Sequence, residues 1–157
     1  MTDAPDPARV VADADVLAAD LLVGGVAREA VDVVRRHSWV ELVASDPLLD
    51  DAAAVVAELA DADLAADWRE RVEAERVAVE HPDGDHPGLA SAYRGGAAHL
   101  LTFEEELTSA IAGAAINRRV PLSVRSPAAF VAVFDPAALY PEVEGGEYPG
   151  PDRDPRG

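Results

Sequence analysis

The stretch Val10-Val11-Ala12-Asp13-Ala14-Asp15-Val16-Leu17 passes from a short apolar run, through a carboxylate, into a helical pattern. Two later apolar runs also lead to acids: the run at 77–81 precedes Asp85, and the run at 99–103 ends at Glu104. If all three are parallel strands of one sheet, the acids gather at its carboxyl edge, where open α/β folds place their ligands. The pattern therefore predicts a carboxylate cluster suited to a hard divalent cation.

The abundance of acids weakens this argument from position. Asp and Glu make up 30 of the 157 residues, so an acid falls at about one position in five by chance. The cluster needs support from more specific patterns before individual ligands are chosen.

Short β-type runs alternate with helical patterns along the chain, which predicts an α/β fold with a mostly parallel five-stranded sheet covered on both faces. The predicted strands are 10–12, 39–44, 76–80, 98–101 and 122–124. The predicted helices are 16–36 with a break at Gly24-Gly25, 47–60, 64–74, 87–93, 104–117 and a short one from Pro127. Ser45 or Asp46, Asp85 and Thr102 are the expected helix caps.

Net charge and composition restrict the classes of function. The formal net charge is −17 and all 13 basic residues are arginine, a composition that resembles proteins from organisms with molar salt in the cytoplasm. Such salt screens long-range repulsion, so the acidity does not exclude a polyanionic partner such as RNA. Cysteine is absent, which excludes disulfides, zinc–thiolate sites and thiol catalysis.

The length fits one domain with loosely ordered ends. We expect a flexible N-terminus at 1–8, a domain at 9–134, and an acidic Pro/Gly-rich tail at 135–157. No apolar stretch is long enough to span a membrane and the N-terminus lacks the features of a signal peptide, so we expect a cytoplasmic protein without membrane contact.

Five short motifs, kept in order, give the chain a resemblance to the PIN-domain family of metal-dependent nucleases over about residues 9–134. The first is the quoted strand with Asp13, and the second is Ser45-Asp46-Pro47-Leu48-Leu49-Asp50-Asp51, which is similar to a Ser-initiated helix carrying an acid after a Leu-Leu pair. The remaining three are Asp85-His86-Pro87-Gly88-Leu89, the Gly95 to Leu107 segment with Thr102-Phe103-Glu104, and Ser126-Pro127-Ala128-Ala129-Phe130.

The resemblance implies a three-layer α/β/α sandwich and a carboxylate site for Mg²⁺ or Mn²⁺ that hydrolyses RNA phosphodiester bonds, in a toxin or in RNA processing. Carried over by position, the catalytic and metal-binding residues are Asp13, Asp51, Asp85 and Glu104, with Glu106 at the edge of the metal site. The implied partners are RNA, an antitoxin or other protein, and a second copy of the chain in a homodimer. Three departures separate the chain from the family pattern: Asp15 in place of Asn, the shorter Asp51 in place of Glu, and Phe103-Glu104 in place of Gly-Asp.

Two alternatives stay open at this stage. The first alternative to an active nuclease is a catalytically inactive PIN-like domain that binds nucleic acid or protein. The second is an unrelated doubly wound binding domain whose acids reflect salt adaptation. The four histidines, His37, His81, His86 and His99, are scattered and are expected to be structural or on the surface. Arg118, Arg119 and Arg125 are more consistent with a solvated face than with phosphate contacts.

Overall fold

A computed structural model describes residues 5–109 and 122–155. Five strands, β1 to β5, form one sheet, and eight helices, α1 to α8, are found among these residues. The strands are Asp6–Ala12, Glu41–Ser45, Val77–Val79, Ala97–Leu101 and Ser123–Arg125. The helices are Ala14–Leu22, Gly25–Arg35, Asp46–Leu59, Ala62–Glu75, Pro87–Arg94, Glu105–Thr108, Pro127–Val133 and Pro136–Val143.

The sheet has the order β3-β2-β1-β4-β5, and every neighbouring pair is parallel. β1 therefore lies at the centre, with Arg9 opposite Glu41 of β2 and Ala12 opposite Leu101 of β4. Because all five strands run the same way, their carboxyl ends lie along one edge. The α/β class and the parallel five-stranded sheet predicted from the sequence are confirmed.

Helices cover both faces of the sheet. Val10 and Val11 are consecutive in β1 and point to opposite faces, yet both are 0% exposed. Leu100 and Leu101 in β4 show the same double burial. Runs of consecutive buried residues are typical of a sheet between two helical layers, so the fold is a three-layer sandwich.

Most element boundaries fall within two residues of the predicted ones, but several local details differ. The segment predicted as 16–36 is two helices, α1 and α2, separated at Gly24, whose φ of +83° is one that glycine adopts without strain. The cap of α5 is His86 and not Asp85, because the Nδ1 atom of His86 accepts the Leu89 N–H at 3.3 Å. The predicted helix 104–117 begins as α6, and its residues 110–117 lie outside the described residues.

The two chain ends pack more closely than expected. β1 begins at Asp6, whose N–H donates to the Gly96 carbonyl at 2.7 Å, and Ala8 is only 2% exposed. The first strand therefore begins within residues 1–8, the segment that the sequence analysis expected to be flexible. The pairing of β1 with β4 shifts register between Asp6 and Val10, the interval that contains Pro7, which has no N–H for the ladder.

The C-terminal segment also has defined structure. Helix α8 lies within the predicted tail and packs against β1, while Tyr140 meets the Trp39 ring edge-on at 5.3 Å. Further along, the N–H groups of Asp152 and Arg153 both donate to the Arg36 carbonyl. The two tyrosines of this segment and Asp152 thus have partners in the residues just before β2, far away along the sequence.

Within the two described ranges, no helix combines the length and the apolar character that crossing a membrane requires.

Candidate metal centre at the carboxyl edge of the sheet

The central strand and its neighbour bring two of the predicted acids to one place. Asp13 directly follows β1, and its N–H donates to the carbonyl of Leu101, the last residue of β4, at 2.8 Å. Glu104 follows β4 by three residues and is the N-cap of α6. Since β1 and β4 are paired in parallel, both carboxylates project from the same edge of the sheet.

Asp13 is buried and held by hydrogen bonds at both carboxylate oxygens. Its Oδ1 accepts the Ala14 N–H at 2.9 Å and caps α1, and its Oδ2 accepts the Thr102 hydroxyl at 3.0 Å. Thr102 is 0% exposed and its Oγ1 in turn accepts the Glu104 N–H at 3.1 Å. Thr102 therefore couples the positions of Asp13 and Glu104. It does not cap the following helix as the sequence predicted, because the N-cap of α6 is Glu104.

His86 completes a group of three possible ligands. Its Nε2 atom lies 3.2 Å from Glu104 Oε2 and 3.8 Å from Asp13 Oδ2, and one ligand atom from each residue lies within 4.8 Å of the others. Two atoms bound at about 2.1 Å to one ion stand about 3.0 Å apart in octahedral and about 3.4 Å apart in tetrahedral coordination. The two separations from His86 are close to these values and the Asp13–Glu104 separation is at most 4.8 Å, so side-chain movements would allow all three residues to bind one cation.

The hydrogen bonds of His86 fix the tautomer of its neutral ring. Because Nδ1 accepts the Leu89 N–H, the ring proton is on Nε2, which donates to Glu104. The imidazole therefore compensates part of the negative charge of the cluster by hydrogen bonding.

Asp15 adds a third carboxylate beside the cluster. Its Oδ2 accepts the Phe103 N–H at 3.0 Å, but its Oδ1 is shielded from solvent and has no hydrogen-bond partner among the described residues. Burial raises the pKa of Asp15, and the negative charge of Asp13 raises that pKa further. Negative charge is thus concentrated here beyond what hydrogen bonding compensates.

A cleft of about 560 Å³ opens from this cluster between α1 and α3. Asp13, Asp15, His86 and Glu104 lie at its polar part, and its remaining walls are largely apolar. The apolar and small lining residues are Ala14, Ala18, Ala19, Leu22, Val23, Val55, Leu59 and Pro87. Arginine is absent from the described residues that line this cleft.

The other predicted ligands take different positions. Asp51 lines the cleft from α3, with an exposed side chain, and is outside the group of three. Asp85 is exposed in the loop before α5 and is not among the described residues that line the cleft. Glu106 is exposed on α6. Arg125 is half-buried at the end of β5, where its carbonyl accepts the Thr102 N–H, and Arg118 and Arg119 lie outside the described residues.

His86 is the member of the group that the sequence analysis placed elsewhere. The available signal was its position directly before Pro87, at the start of a helix that follows a strand. That signal does not distinguish His86 from Asp85, because the loop conformation decides which of the two side chains faces the sheet edge.

The fold and this cluster define the class: an α/β protein with a parallel sheet and a candidate cation site at its carboxyl edge. A family model matches residues 4–156, and the chain belongs to that family, which is described as a family of unknown function (DUF7384). The match includes the C-terminal segment. Neither the curated proteins nor the solved structures gave a match.

Proposed function

We propose that the protein is a PIN-like ribonuclease that hydrolyses RNA phosphodiester bonds with a divalent cation, Mg²⁺ or Mn²⁺. The observation that carries the proposal is the convergence of Asp13, His86 and Glu104 within 4.8 Å at the carboxyl edge of a parallel sheet. Such an ion supplies an activated water at neutral pH and stabilises charge that develops on a phosphoryl group.

The proposal gives each residue of the cluster a definite role. Asp13 and Glu104 would hold the ion, and Thr102 keeps the Asp13 carboxylate oriented through its 3.0 Å hydrogen bond. Asp15 lines the cleft beside Asp13, and its shielded Oδ1 has no hydrogen-bond partner among the described residues, so Asp15 is the carboxylate best placed to take a proton from the attacking water.

The shape of the cleft supports a substrate with an apolar part beside the scissile phosphate. Its volume of about 560 Å³ is in the range of small-molecule sites and can hold one nucleotide. The aliphatic walls of α1 and α3 would contact the base or the ribose. In this proposal the protein works in a salt-rich cytoplasm, with RNA as its substrate and, in a toxin role, an antitoxin protein as its partner.

The test compares the wild type with Asp13→Asn in about 2 M KCl, where surface repulsion is screened. Asp→Asn keeps the size of the side chain and its ability to cap α1 but removes the charge. We expect Mn²⁺ to raise the melting temperature of the wild type and to support cleavage of a labelled RNA mixture, and we expect the variant to lose both. Asp83→Asn, an exposed change in the loop before α5, is the matched control. Absence of any metal response in the wild type would refute the proposal.

A second candidate function is a non-catalytic PIN-like domain that binds RNA or a protein through the same cleft. The hydrogen bond from His86 to Glu104 favours this candidate, because it compensates charge without an ion. The exposure of Asp51 and Asp85 also favours it, since only two of the four predicted acids converge. If the protein binds RNA but does not cleave it with any divalent metal tested, that result would support this second function.

A further inference from the structure

We infer that the metal centre selects a first-row transition ion, with Mn²⁺ as the probe, over Mg²⁺, and that His86 is the ligand responsible. The inference rests on the proposed function only in requiring that a cation binds at Asp13 and Glu104. It goes further by naming the class of ion and by assigning a ligand that the sequence motifs did not select.

The donor set carries the inference. Two carboxylate oxygens and one imidazole nitrogen surround the site, with Nε2 of His86 3.2 Å from Glu104 and 3.8 Å from Asp13. Carboxylate and water oxygens suit Mg²⁺ and Mn²⁺ equally, whereas an imidazole nitrogen binds first-row transition ions much better than it binds Mg²⁺. A site with these three donors therefore favours Mn²⁺ and the later ions of the series.

The backbone brings His86 to the site by a close approach that only glycine permits. A Cβ atom built on Gly88 would lie 2.9 Å from Asp13 Oδ1 and 3.2 Å from His86 Cε1. The first turn of α5 thus lies directly against the Asp13 carboxylate, which places the N-cap residue His86 beside it. Among the residues that the structure describes, the solvent-shielded Oδ1 of Asp15 has no hydrogen-bond partner, which is a separate indication of uncompensated charge at this place.

Binding through Nε2 requires a change in the hydrogen bonds of His86. The Nε2 proton must leave the nitrogen, and when it is moved to Nδ1 the Leu89 N–H loses its acceptor. That bond is long, at 3.3 Å, so the cost of losing it is small beside the free energy of binding a transition ion.

No other described imidazole competes for the role. His81 contacts the Ser45 hydroxyl and the Pro82 carbonyl, and His37 contacts Val33 and Tyr148. His99 meets the rings of Phe130 and Phe134 edge-on. A nitrogen ligand detected on a bound ion would therefore report on His86.

The experiment measures binding of Mn²⁺ and Mg²⁺ to the full chain in molar KCl by calorimetry, together with pulsed electron paramagnetic resonance of bound Mn²⁺. His86→Asp is the informative variant, because Asp is a good N-cap that preserves the start of α5 while it replaces nitrogen by oxygen. Glu105→Gln, an exposed neighbour of Glu104, is the matched control.

We expect the wild type and Glu105→Gln to bind Mn²⁺ at least about tenfold more tightly than Mg²⁺, and His86→Asp to bring the two affinities within about threefold. Nitrogen modulation of the Mn²⁺ signal should be present in the wild type and lost in His86→Asp. Equal affinities in the wild type, or an unchanged preference in the variant, would overturn this inference and leave the proposed function intact. Binding of neither ion by the wild type would defeat both.

Discussion

At the scale of single residues, Gly88 determines how closely helix α5 approaches Asp13. The residue is buried, and the space where its Cβ would stand is occupied by Asp13 Oδ1 at 2.9 Å and His86 Cε1 at 3.2 Å. Its φ is not in the positive range, so the backbone itself tolerates alanine. The requirement for glycine therefore comes from the site and not from the helix.

Gly88→Ala should weaken metal binding without a matching loss of stability. Alanine is favoured over glycine in a helix by up to about 1 kcal/mol, which offsets part of the cost of moving the Asp13 carboxylate. We expect the Mn²⁺ dissociation constant to rise by about 10-fold or more, the range seen when groups that orient ligands are disturbed. Calorimetry gives the affinity and thermal unfolding gives the stability.

Ala90→Gly, two residues along the same helix, is the control for this prediction. It removes helix propensity at a half-buried position away from Asp13, so stability should fall while affinity for Mn²⁺ is kept. If Gly88→Ala bound Mn²⁺ as well as the wild type does, the close approach would have no functional consequence.

At the scale of elements, the C-terminal segment is fastened to the end of α2 and the start of β2. His37 is 3% exposed, and its Nδ1–H donates to the Val33 carbonyl at 2.7 Å, which leaves Nε2 to accept the Tyr148 hydroxyl at 2.6 Å. Asp152 accepts both the N–H and the hydroxyl of Ser38. Ser38 holds the pKa of Asp152 below its usual range through these hydrogen bonds. These contacts are at the end of the sheet opposite the acid cluster.

Tyr148→Phe should destabilise the protein, because it leaves Nε2 of the buried His37 without a donor. An unsatisfied buried polar group costs about 1–3 kcal/mol, and chemical denaturation would measure that loss. Tyr93→Phe is the control, since Tyr93 is 57% exposed and water replaces any contact of its hydroxyl. Equal stability of the two variants would show that the hydrogen bond contributes nothing net.

At the scale of the whole molecule, the surface charge makes stability depend on salt. The chain carries a formal net charge of −17, and several exposed acids, among them Glu58, Asp67 and Glu70, are spread over α3 and α4. The Debye length falls from about 10 Å at 0.1 M salt to about 3 Å at 1 M, so repulsion between such groups is largely removed at high salt.

The melting temperature should therefore rise as KCl increases from about 0.1 to about 1 M and then level off. The rise should stop there because the Debye length is then about 3 Å and repulsion is already largely screened. A triple variant with Glu58→Gln, Asp67→Asn and Glu70→Gln should melt higher in dilute buffer and show a smaller salt dependence. Scanning calorimetry over a KCl series tests both statements. A flat or falling melting temperature in the wild type would contradict the screening argument.

The sequence alone determined the α/β class, the parallel sheet and the two acids, Asp13 and Glu104, that directly continue or closely follow central strands. It could do so because apolar periodicity and the alternation of strand and helix patterns are local properties of the chain, and parallel strands place their ends on one edge. The tertiary structure decided which side chains face the carboxyl edge of the sheet and which distant segments meet. It selected His86 over its neighbour Asp85, left Asp51 exposed on α3, and brought Tyr148 and Asp152 back to residues more than a hundred positions earlier. Those choices follow from loop conformation and helix packing between distant segments, which local patterns do not encode.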